Sequence, residues 1–387
     1  MSIDITIVGG GLGGLTAAIA CAEQGLSVRL HEAHRTLGGR ARSTPGPFVA
    51  NDGTHVWYRD GEPFRWLAER RLVQPCSAPS VGELLRFRFR HGGRVRARPP
   101  AALLRMIAAR RVAAPVDEPF GDWAQRRFGP VAAKAAAGLV GVITYTADPG
   151  RLSAAFVWER VLRATAPGWP AVRYVHGGWS AMVGRMAEHA RRLGVHVATG
   201  ERVDALPAGP VIVATGLDAA RTLLGDDALR WPSGRAALVD LGLRAHRRDP
   251  FVVSDLDEGG FLERYSLPDP GLAPPGHALV QIEIPAREAE PIPDATARAE
   301  ALADLALPQW RSRVAWRRTA FAHQRTGAVD PPGTTWRDRP AVERGGGVWL
   351  AGDSVAAPGM LAEVTVNSAR AAASAAATAI RGAVAAR

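Results

Sequence analysis

The sequence predicts an α/β protein whose central parallel sheet is assembled from three separated parts of the chain. Ile3–Val8 is an apolar, β-branched run that leads directly into glycine, as expected of a buried parallel strand before a tight turn. Similar apolar runs recur at Val211–Gly216 and Gly347–Asp353, each ending in small residues. Between these runs the pattern changes from helical periodicity to alternating strands, which predicts inserted substructures outside this sheet.

The first turn has the spacing of a phosphate-binding motif. Gly9, Gly11 and Gly14 have the G-x-G-x-x-G spacing, and a helix with an apolar face follows as far as Gly25. Gly9 permits the tight turn, Gly11 lets a pyrophosphate approach bare backbone, and Gly14 lets the helix pack close to the strand. The N-terminus of the helix, beginning at Leu12, then presents unpaired N–H groups to the anion.

A carboxylate follows the second predicted strand, Leu26–Leu30. Glu32 comes eighteen residues after Gly14, close to the offset of about 20 at which an acidic side chain accepts hydrogen bonds from a ribose diol. An acid at this position favours a free 2′-hydroxyl over a 2′-phosphate. An ordinary βαβ unit without a nucleotide is the alternative, and the order of strand, glycines, helix, strand and Glu32 disfavours it. We therefore predict a dinucleotide site.

The residues after Glu32 indicate which dinucleotide binds. Leu37–Thr44 reads L-G-G-R-A-R-S-T, which resembles the corresponding segment of the FAD-dependent superfamily that contains amine oxidases, phytoene desaturases and protoporphyrinogen oxidases. Gly38 and Gly39 would let the chain fold back over the phosphates, and Arg40 or a neighbouring arginine would place a guanidinium against them. The resemblance implies an α/β fold: a Rossmann-like FAD-binding domain of the glutathione-reductase and amine-oxidase type, with a mixed α+β substrate domain inserted discontinuously.

This resemblance extends over nearly the whole chain and divides it into five segments. FAD-binding parts are expected to alternate with a helical cap subdomain and a β-rich substrate domain. The expected boundaries are 1–60 for the first FAD-binding part, 61–172 for the helical cap, 173–234 for the second FAD-binding part, 235–340 for the substrate domain and 341–387 for the third FAD-binding part.

One loop in the β-rich segment is typical of a particular branch of the superfamily. Asp269–Gly276 resembles the D-P-x-L-A-P-x-G hairpin of phytoene-desaturase-like proteins. It favours that branch more specifically than the glycine motif does. The polar stretch from Trp310 to Trp336, by contrast, predicts only a connection without a readable role.

Two later segments resemble the remaining FAD contacts of the family. Val203 matches the residue whose backbone pairs with the adenine edge. Gly352 and Asp353 end an apolar strand, and the resemblance implies that the Asp353 carboxylate binds the ribityl hydroxyls.

The segment Ala357–Ser368 then opens a long alanine-rich helix. In the family the N-terminus of this helix faces the flavin pyrimidine, where its partial positive charge stabilises negative charge. Met360 and Leu361 are the expected backbone donors. Val364 and Ala369 depart from the family pattern, which usually has glycine at both positions.

Three side chains are candidates for catalysis, chosen for their expected closeness to the flavin ring. Asp52-Gly53-Thr54-His55 resembles the D-x-G-x-H segment beside that ring, with the aspartate directly before the glycine. Thr54 is expected to contact the cofactor. His55 either acts on the substrate or, in the favoured interpretation, hydrogen-bonds backbone in a packed turn. The other two candidates are Glu363 and His323.

Composition excludes several classes of function. The formal net charge is +11, but nearly all the cations are scattered arginines, and no basic block interleaved with aromatics indicates a nucleic-acid partner. Two cysteines and no metal-ligand spacing predict no metal and a reduced, cytoplasmic protein. No apolar run approaches about 18 residues, so no transmembrane segment is expected. The basic amphipathic piece Ala101–Arg111 is interpreted as a domain wall, with peripheral membrane contact the less favoured alternative.

The resemblance implies an FAD-dependent oxidoreductase, either a dehydrogenase or desaturase or an oxidase. It would take a hydride from carbon of a small, largely apolar, biosynthetic metabolite to flavin N5, with positioning supplying much of the catalysis. Neither cysteine lies near Gly359, so non-covalent FAD is expected. No second G-x-G-x-x-G follows a strand, which predicts oxygen, a quinone or a soluble carrier as electron acceptor.

Three alternatives stay open. The first is a flavin amine oxidase, disfavoured because Lys134 is the chain's only lysine and no Tyr or Trp follows Asp353. The second is a redox-neutral flavin-dependent isomerase. The most remote is a non-catalytic lipid-binding module on the same scaffold, like the Rab-escort proteins.

Overall fold

The structure is a computed structural model that describes residues 3–53 and 56–385, with backbone alone for residues 323–326 and 384. The described strands are, in chain order, β1 (Ile5–Val8), β2 (Val28–Glu32), β3 (Val56–Tyr58), β4 (Cys76–Ser77), β5 (Phe87–His91), β6 (Arg94–Arg96), β7 (Val172–Val175), β8 (His196–Thr199), β9 (Val211–Val213), β10 (Ser233–Arg244), β11 (Val252–Asp255), β12 (Phe261–Glu263), β13 (His277–Pro285), β14 (Val314–Ala328), β15 (Glu343–Gly345) and β16 (Val348–Leu350). The described helices are α1 (Leu12–Glu23), α2 (Glu62–Glu69), α3 (Val81–Leu84), α4 (Ala101–Ala108), α5 (Phe120–Phe128), α6 (Pro130–Thr144), α7 (Ala154–Ala164), α8 (Gly178–Arg192), α9 (Leu217–Leu224), α10 (Ile292–Ala306), α11 (Trp310–Arg313) and α12 (Ala362–Ala385).

The first sheet has six strands in the order β15-β16-β9-β1-β2-β8, and all neighbours are parallel except β15 and β16. Its strands come from the beginning, the middle and the end of the chain, as the three apolar runs predict. Ile7 is opposite Leu30 on one side and Ile212 on the other, and all three are fully buried. Helices α8 and α12 each pack against α1 and close the same core. The predicted α/β fold is confirmed.

The second sheet has seven strands in the order β14-β10-β13-β12-β11-β5-β6, and the pair β11 and β5 is parallel. Its central strands lie where alternating residues predict them. β14 corrects one prediction: the polar stretch after Trp310 is not a connection but a fifteen-residue edge strand, paired along β10. Charged residues obscured its pattern because their partners, Asp52, Asp240 and Glu300, lie elsewhere in the chain.

The segment predicted as helical over 61–172 is only partly so. Its first third contributes β5 and β6 to the second sheet, and β4 to a three-stranded sheet of order β3-β7-β4. β5 has the alternating sequence F-R-F-R-H with every residue half-buried, a pattern that local periodicity alone does not assign to this sheet. The remainder, from α4 to α7, is a helical insert around an aromatic core of Trp123, Phe128 and Trp158.

The helical insert packs directly on the second sheet through α6. A Cβ at Gly138 would lie 2.4 Å from the carbonyl oxygen of Leu256, and a Cβ at Gly141 would lie 2.2 Å from that of Gly259. The two glycines therefore permit a backbone contact between α6 and the turn joining β11 to β12. This contact sets the position of α7, which carries Arg160 and Arg163 towards the start of α12. No helix in the described ranges is both long enough and apolar enough to cross a bilayer.

Candidate functional site

The glycine turn between β1 and α1 is closely packed against itself. Gly9 has a φ of +105°, and a Cβ at Gly14 would lie only 1.7 Å from the Gly9 carbonyl oxygen. α1 begins at Leu12 after Gly11, which supplies no side-chain cap, and its first turn holds no acidic residue. The N–H groups in the first turn of α1 are therefore available to an anion, as the motif predicts.

Glu32 lies at the end of β2, beside the glycine turn, and is almost fully buried. Its Oε2 accepts the N–H of Gly10 at 2.7 Å, and its Oε1 accepts the N–H of His34 at 2.8 Å. A carboxylate has about four acceptor positions, so two stay available for ribose hydroxyls. The loop after β8 is held next to Glu32 by a bond from the Glu201 N–H to the Glu32 carbonyl, and half-buried Val203 follows in that loop.

The Gly38–Arg40 turn lies directly over the glycine turn. Gly38 donates its N–H to the Gly10 carbonyl at 2.8 Å, and Gly38 and Gly39 both have positive φ. Arg40 Nη1 lies 2.6 Å from Asp353 Oδ2, across 313 residues of chain. Burial opposes ionisation of Asp353, but the charge and hydrogen bond of Arg40 outweigh it and hold its pKa below the ordinary value.

These parts form one nucleotide groove, which we define as Gly9–Gly14, Glu32, Gly38–Arg40 and Gly352–Asp353. The N–H of Gly352 donates to the Ser368 hydroxyl at 2.9 Å, so α12 fixes the corner at which β16 ends. The residues fit a dinucleotide with a diphosphate: an uncapped helix N-terminus, an arginine, and a carboxylate at each end of the groove.

The first turn of α12 is fixed by an ion-pair cluster around Glu363. α12 begins at Ala362, directly after Leu361 with a φ of +54°. Glu363 Oε2 accepts the Met360 N–H at 3.1 Å, and its Oε1 lies 2.9 Å from Arg163 Nη2. Burial raises the pKa of Glu363, and Arg163 opposes that rise.

Both oxygens of Glu363 are therefore bonded, and Gly61 leaves no more space on that side, since a Cβ there would lie 2.4 Å from Oε1. In this arrangement Glu363 joins α12 to α7 and to the start of α2. It holds the helix N-terminus in position, while the Met360 N–H, predicted as a flavin donor, is donated to this carboxylate.

A network on the second sheet fixes the backbone of Asn51. Arg318 Nε donates to Asp240 Oδ2 at 2.6 Å and its Nη2 donates to the Asn51 carbonyl at 2.8 Å. Gln281 Nε2 donates to Asp240 Oδ1 at 2.6 Å and to the same carbonyl at 3.1 Å. Arg318 also pairs with Asp52 at 2.7 Å. The segment that leads to Thr54 and His55 is thus held by β10, β13 and β14.

Thr54 and His55 themselves lie outside the described residues, and so does the side chain of His323. The sequence did not single out Arg318, Asp240 or Gln281. The sequence feature that could have identified two of them is a polar residue inside an apolar strand. Asp240 lies within A-L-V-D-L-G-L, and Gln281 lies within A-L-V-Q-I-E-I.

A second acidic group on the same sheet contacts tyrosine. Tyr174 donates its hydroxyl to Glu263, whose side chain is almost fully buried. Burial raises the pKa of Glu263 to about 7, against the effect of hydrogen bonds from Tyr174 and Tyr265. Glu263 is opposite Gln281 across β12 and β13. We call Asp240, Glu263, Gln281 and Arg318 the substrate face, after the substrate domain that the sequence predicts over residues 235–340.

The branch-typical loop ties this sheet to the nucleotide-binding part. Asp269 Oδ1 accepts the Gly271 N–H at 3.1 Å, capping a short 3₁₀ turn within the loop. Its Oδ2 accepts the Gly177 N–H at 2.7 Å, immediately before α8. The predicted hairpin motif thus positions the start of a helix in the other layer.

Two cavities lie between α7 and the start of α12. The larger, of about 280 Å³, is lined by Leu162, Ala166, Gly359, Met360, Glu159, Glu363 and three arginines, Arg110, Arg160 and Arg163. The smaller, of about 10 Å³, extends to Asp353, Leu361 and Gly327. Arg160 lines both. The larger cavity therefore adjoins the nucleotide groove at the N-terminus of α12.

A parallel sheet with a glycine turn, a buried ribose-type carboxylate and a C-terminal Gly-Asp corner defines a dinucleotide-binding oxidoreductase. Family models match in the same places: "NAD(P)-binding Rossmann-like domain" over residues 7–69 and "Flavin containing amine oxidoreductase" over residues 211–377. Together these matches support the FAD-dependent amine oxidase superfamily, and the chain is a flavin-dependent oxidoreductase with FAD as its cofactor.

Solved structures share this fold over nearly the whole chain. An oxidoreductase from Methanosarcina mazei aligns with a TM-score of 0.75 at 15% identity, covering 95% of this chain and 99% of its own. Cyclohexylamine oxidase from Brevibacterium oxydans aligns with a TM-score of 0.75 at 17% identity, covering 98% and 100%. Reduced UDP-galactopyranose mutase aligns with a TM-score of 0.68 at 15% identity, covering 100% and 95%. No curated protein sequence matches the chain.

Proposed function

We propose that the chain oxidises carbon of a small, largely apolar metabolite on the phytoene-desaturase-like side of its superfamily. When bound, FAD supplies a hydride acceptor. The observation that carries the choice of branch is the position of Lys134, the only lysine in the sequence, which is exposed on the outer side of α6. It lines neither cavity, and the amine-oxidase branch commonly places a lysine at the flavin.

The size of the larger cavity supports a small substrate. Its volume of about 280 Å³ is just below the ~300–1,000 Å³ typical of ligand sites. A long polyene would exceed it. Leu162, Ala166 and Met360 supply apolar surface, and the charged clusters around them hold the cavity wall in place.

The protein residues act mainly by binding and positioning. Helix α12 is held by Glu363 and Arg163, and the Asn51 backbone is held by Arg318 and Gln281. Rigid positioning of a substrate carbon against a cofactor supplies much of the rate enhancement in such reactions. No dedicated side-chain base is required in this proposal.

We propose that FAD is held without a covalent bond. Cys21 lies in the core of the first sheet, where burial raises its pKa to about 12, and Cys76 lies in β4, opposite Val175. The N-terminal segment of α12, where one amine-oxidase branch attaches its flavin, holds no cysteine. Oxygen, a quinone or a soluble carrier is the proposed electron acceptor, and the cytoplasm the proposed location.

Amine oxidation is the second candidate. It is favoured by the matched family model and by the buried acids Asp240 and Glu263 on the substrate face, because carboxylates suit a cationic amine. Those acids are already bonded to Arg318 and Tyr174, respectively, which leaves them poorly suited to receive an ammonium group.

The test is an anaerobic screen of apolar alkenes, ketones and amines for bleaching of the flavin absorbance. Bleaching by neutral compounds supports the proposal. Bleaching by amines alone, with hydrogen peroxide released in air, would establish amine oxidation instead. Turnover that needs reduced flavin and consumes no acceptor would identify an isomerase.

Cofactor assignment is tested separately by purifying Glu32→Ala and Gly11→Val. Both variants are expected to lose the yellow cofactor, because one removes the ribose acceptor and the other places a branched side chain on the backbone that approaches the diphosphate. Full flavin occupancy in both variants would contradict the groove assignment.

A further inference from the structure

The guanidinium of Arg160 is buried in the helical insert, and its one acidic partner among the described residues, Glu159, is largely exposed. Arg160 is 5% exposed, its Nη1 donates to the Phe156 carbonyl at 2.8 Å, and its Cζ lies 3.3 Å from the centre of the Phe156 ring. Among the described residues, Glu159 is the only acid within 4.0 Å; it is 3.5 Å away and its side chain is 73% exposed. A guanidinium has five N–H donors, so this one retains most of its capacity.

The other arginines around the two cavities have hydrogen-bond partners within the protein. Arg339 forms two bonds of 2.8 Å with Asp330, and both side chains are buried. Arg163 is bonded to Glu363 at 2.9 Å. Arg110 donates to two carbonyl oxygens near the C-terminal end of α7. Arg339 and Arg163 thus have buried acids as partners, whereas the acid beside Arg160 is largely exposed.

The position of Arg160 in the cavity wall indicates what its buried guanidinium can bind. Arg160 lines both the larger cavity and the small one that reaches Asp353 and Leu361. It therefore stands between space of substrate size and the nucleotide groove. Burying a charge whose only acidic partner is exposed to water is unfavourable, and a ligand anion inside the cavity would compensate it more fully.

We propose that Arg160 binds a carboxylate of the substrate, so that the substrate is an organic acid with an apolar body. This inference rests on the proposed function and narrows its substrate class. The planar guanidinium matches a carboxylate in two parallel hydrogen bonds, and its partial removal from water strengthens the attraction. The apolar remainder of the acid would lie against Leu162, Ala166 and Met360 in the same cavity.

The protonation state agrees with this role. Burial lowers the pKa of Arg160 to about 10, with Glu159 opposing the shift. The side chain therefore stays charged at neutral pH. An organic acid would be ionised under the same conditions, so both partners carry their charge when they meet.

Three probes of the same ring size and different charge test the inference. Cyclohexanecarboxylate, cyclohexanecarboxamide and cyclohexylamine are titrated into the yellow holoenzyme, with calorimetry and the shift of the flavin absorbance as readouts. The carboxylate is expected to bind more tightly than the amide and the amine.

Variants then assign the binding to one side chain. Arg160→Gln is expected to weaken carboxylate binding about tenfold or more and to leave amide binding unchanged, because it removes a charge-assisted pair. Arg160→Lys is expected to restore part of the affinity. Arg111→Gln is the matched control: it removes one positive charge from an exposed position of the same insert that lines neither cavity, and binding is expected to stay at the wild-type level.

Several results would overturn the inference. In the wild-type titrations they are equal binding of all three probes, preference for the amine, or no binding of the carboxylate. In Arg160→Gln they are unchanged carboxylate binding or loss of FAD, and loss of FAD would show that Arg160 binds the cofactor. The wild-type titrations decide the point even if Arg160→Gln does not fold. The two proposals can fail separately. If carboxylate binding depends on Arg160 but no acid, alkene or ketone reduces the flavin, this inference is supported and the proposed function is refuted. If neutral alkenes reduce the flavin and acids are not preferred, the proposed function is supported and this inference is refuted.

Discussion

The nucleotide groove and the substrate face are built from different chemical groups. In the groove the contacts are made by backbone N–H groups and by glycines, of which Gly9 and Gly14 leave no space for a side chain, with Glu32 and Asp353 at its two ends. On the substrate face long side chains are paired across strands, Arg318 with Asp240 and Tyr174 with Glu263. The groove depends on local backbone geometry, and the face depends on partners far apart in the chain.

This difference predicts how each region fails. A substitution in the groove acts through space where the new Cβ would meet backbone that cannot move away, as at Gly14. A substitution on the substrate face acts through charge, because the remaining partner stays buried and unpaired. Substitutions therefore have different consequences in the two regions. Three pairs of stability measurements test this difference.

The largest effect is expected for Gly14→Ala. Its Cβ would lie 1.7 Å from the Gly9 carbonyl oxygen, so the turn between β1 and α1 must open. We expect a loss of more than about 4 kcal/mol in the free energy of unfolding, measured by urea denaturation, or no folded protein at all.

Gly11→Ala is the matched control for that substitution. Gly11 has an extended backbone that an L-residue adopts, and its Cβ would lie 3.8 Å from the Gly38 carbonyl oxygen, which is ordinary contact. This variant is expected to fold and to bind FAD more weakly. Equal stability of the two alanine variants would show that the groove is not limited by space.

The next effect is expected for Arg318→Gln, which leaves Asp240 fully buried without its cation. Burial already raises the pKa of Asp240, and Arg318 opposes that rise. Breaking a buried pair costs about 3–5 kcal/mol, so a loss of that size is expected at neutral pH, with a smaller loss in acid where Asp240 becomes protonated.

Arg317→Gln provides the comparison in the same strand. Arg317 is partly exposed and pairs with Glu300 at the surface, where such a pair contributes about 0–1 kcal/mol. Denaturation of both variants by urea measures the contrast. If the two variants lose similar amounts of unfolding free energy, the buried pair of Arg318 and Asp240 contributes no more to stability than a surface ion pair.

The smallest effect is expected for Glu263, through the pH dependence of the free energy of unfolding. The pKa of Glu263 is about 7 in the folded state, above the ordinary value of 4.5. Between pH 4.5 and 7, Glu263 is therefore protonated in the folded state and ionised in the unfolded state. The contribution of Glu263 to stability is complete below pH 4.5 and declines as pH rises through 7, by about 3 kcal/mol.

Glu263→Gln cannot ionise and should not show this decline. The free energy of unfolding of the variant minus that of the wild type is therefore expected to increase between pH 4.5 and 7.5. Parallel pH profiles for the two proteins would mean that Glu263 has an ordinary pKa and that its burial does not govern its charge.

The comparison also explains which predictions from sequence were confirmed. The α/β fold, the buried strands and the helix that ends before Gly25, with its positive φ, follow from residues close together in the chain. β14 was missed and β5 was assigned to a helical segment, because their charged residues are neutralised by partners on other strands and helices. The predicted boundaries of the inserts remain predictions.

Site residues follow the same division. Gly9, Glu32 and Gly38 were predicted, and the structure places them together. Glu363 was chosen as a catalytic candidate, and the structure shows both of its oxygens bonded in the first turn of α12. Its role in holding that turn depends on Arg163, two hundred residues earlier in the chain, and no local pattern reveals such a partner.

The sequence by itself determined the nucleotide groove, because glycine spacing, strand burial and a carboxylate at a fixed offset are properties of short segments in which each residue acts on near neighbours. Only the tertiary structure decided which arginine would be paired with a buried acid, since that depends on the partner each charged side chain finds across the fold. Arg160 and Arg163 are three residues apart on one helix and line the same cavity, yet Arg163 is bonded to buried Glu363 while the acid beside Arg160 is largely exposed. Electrostatic pairing acts through space, and the order of residues along a chain does not record it.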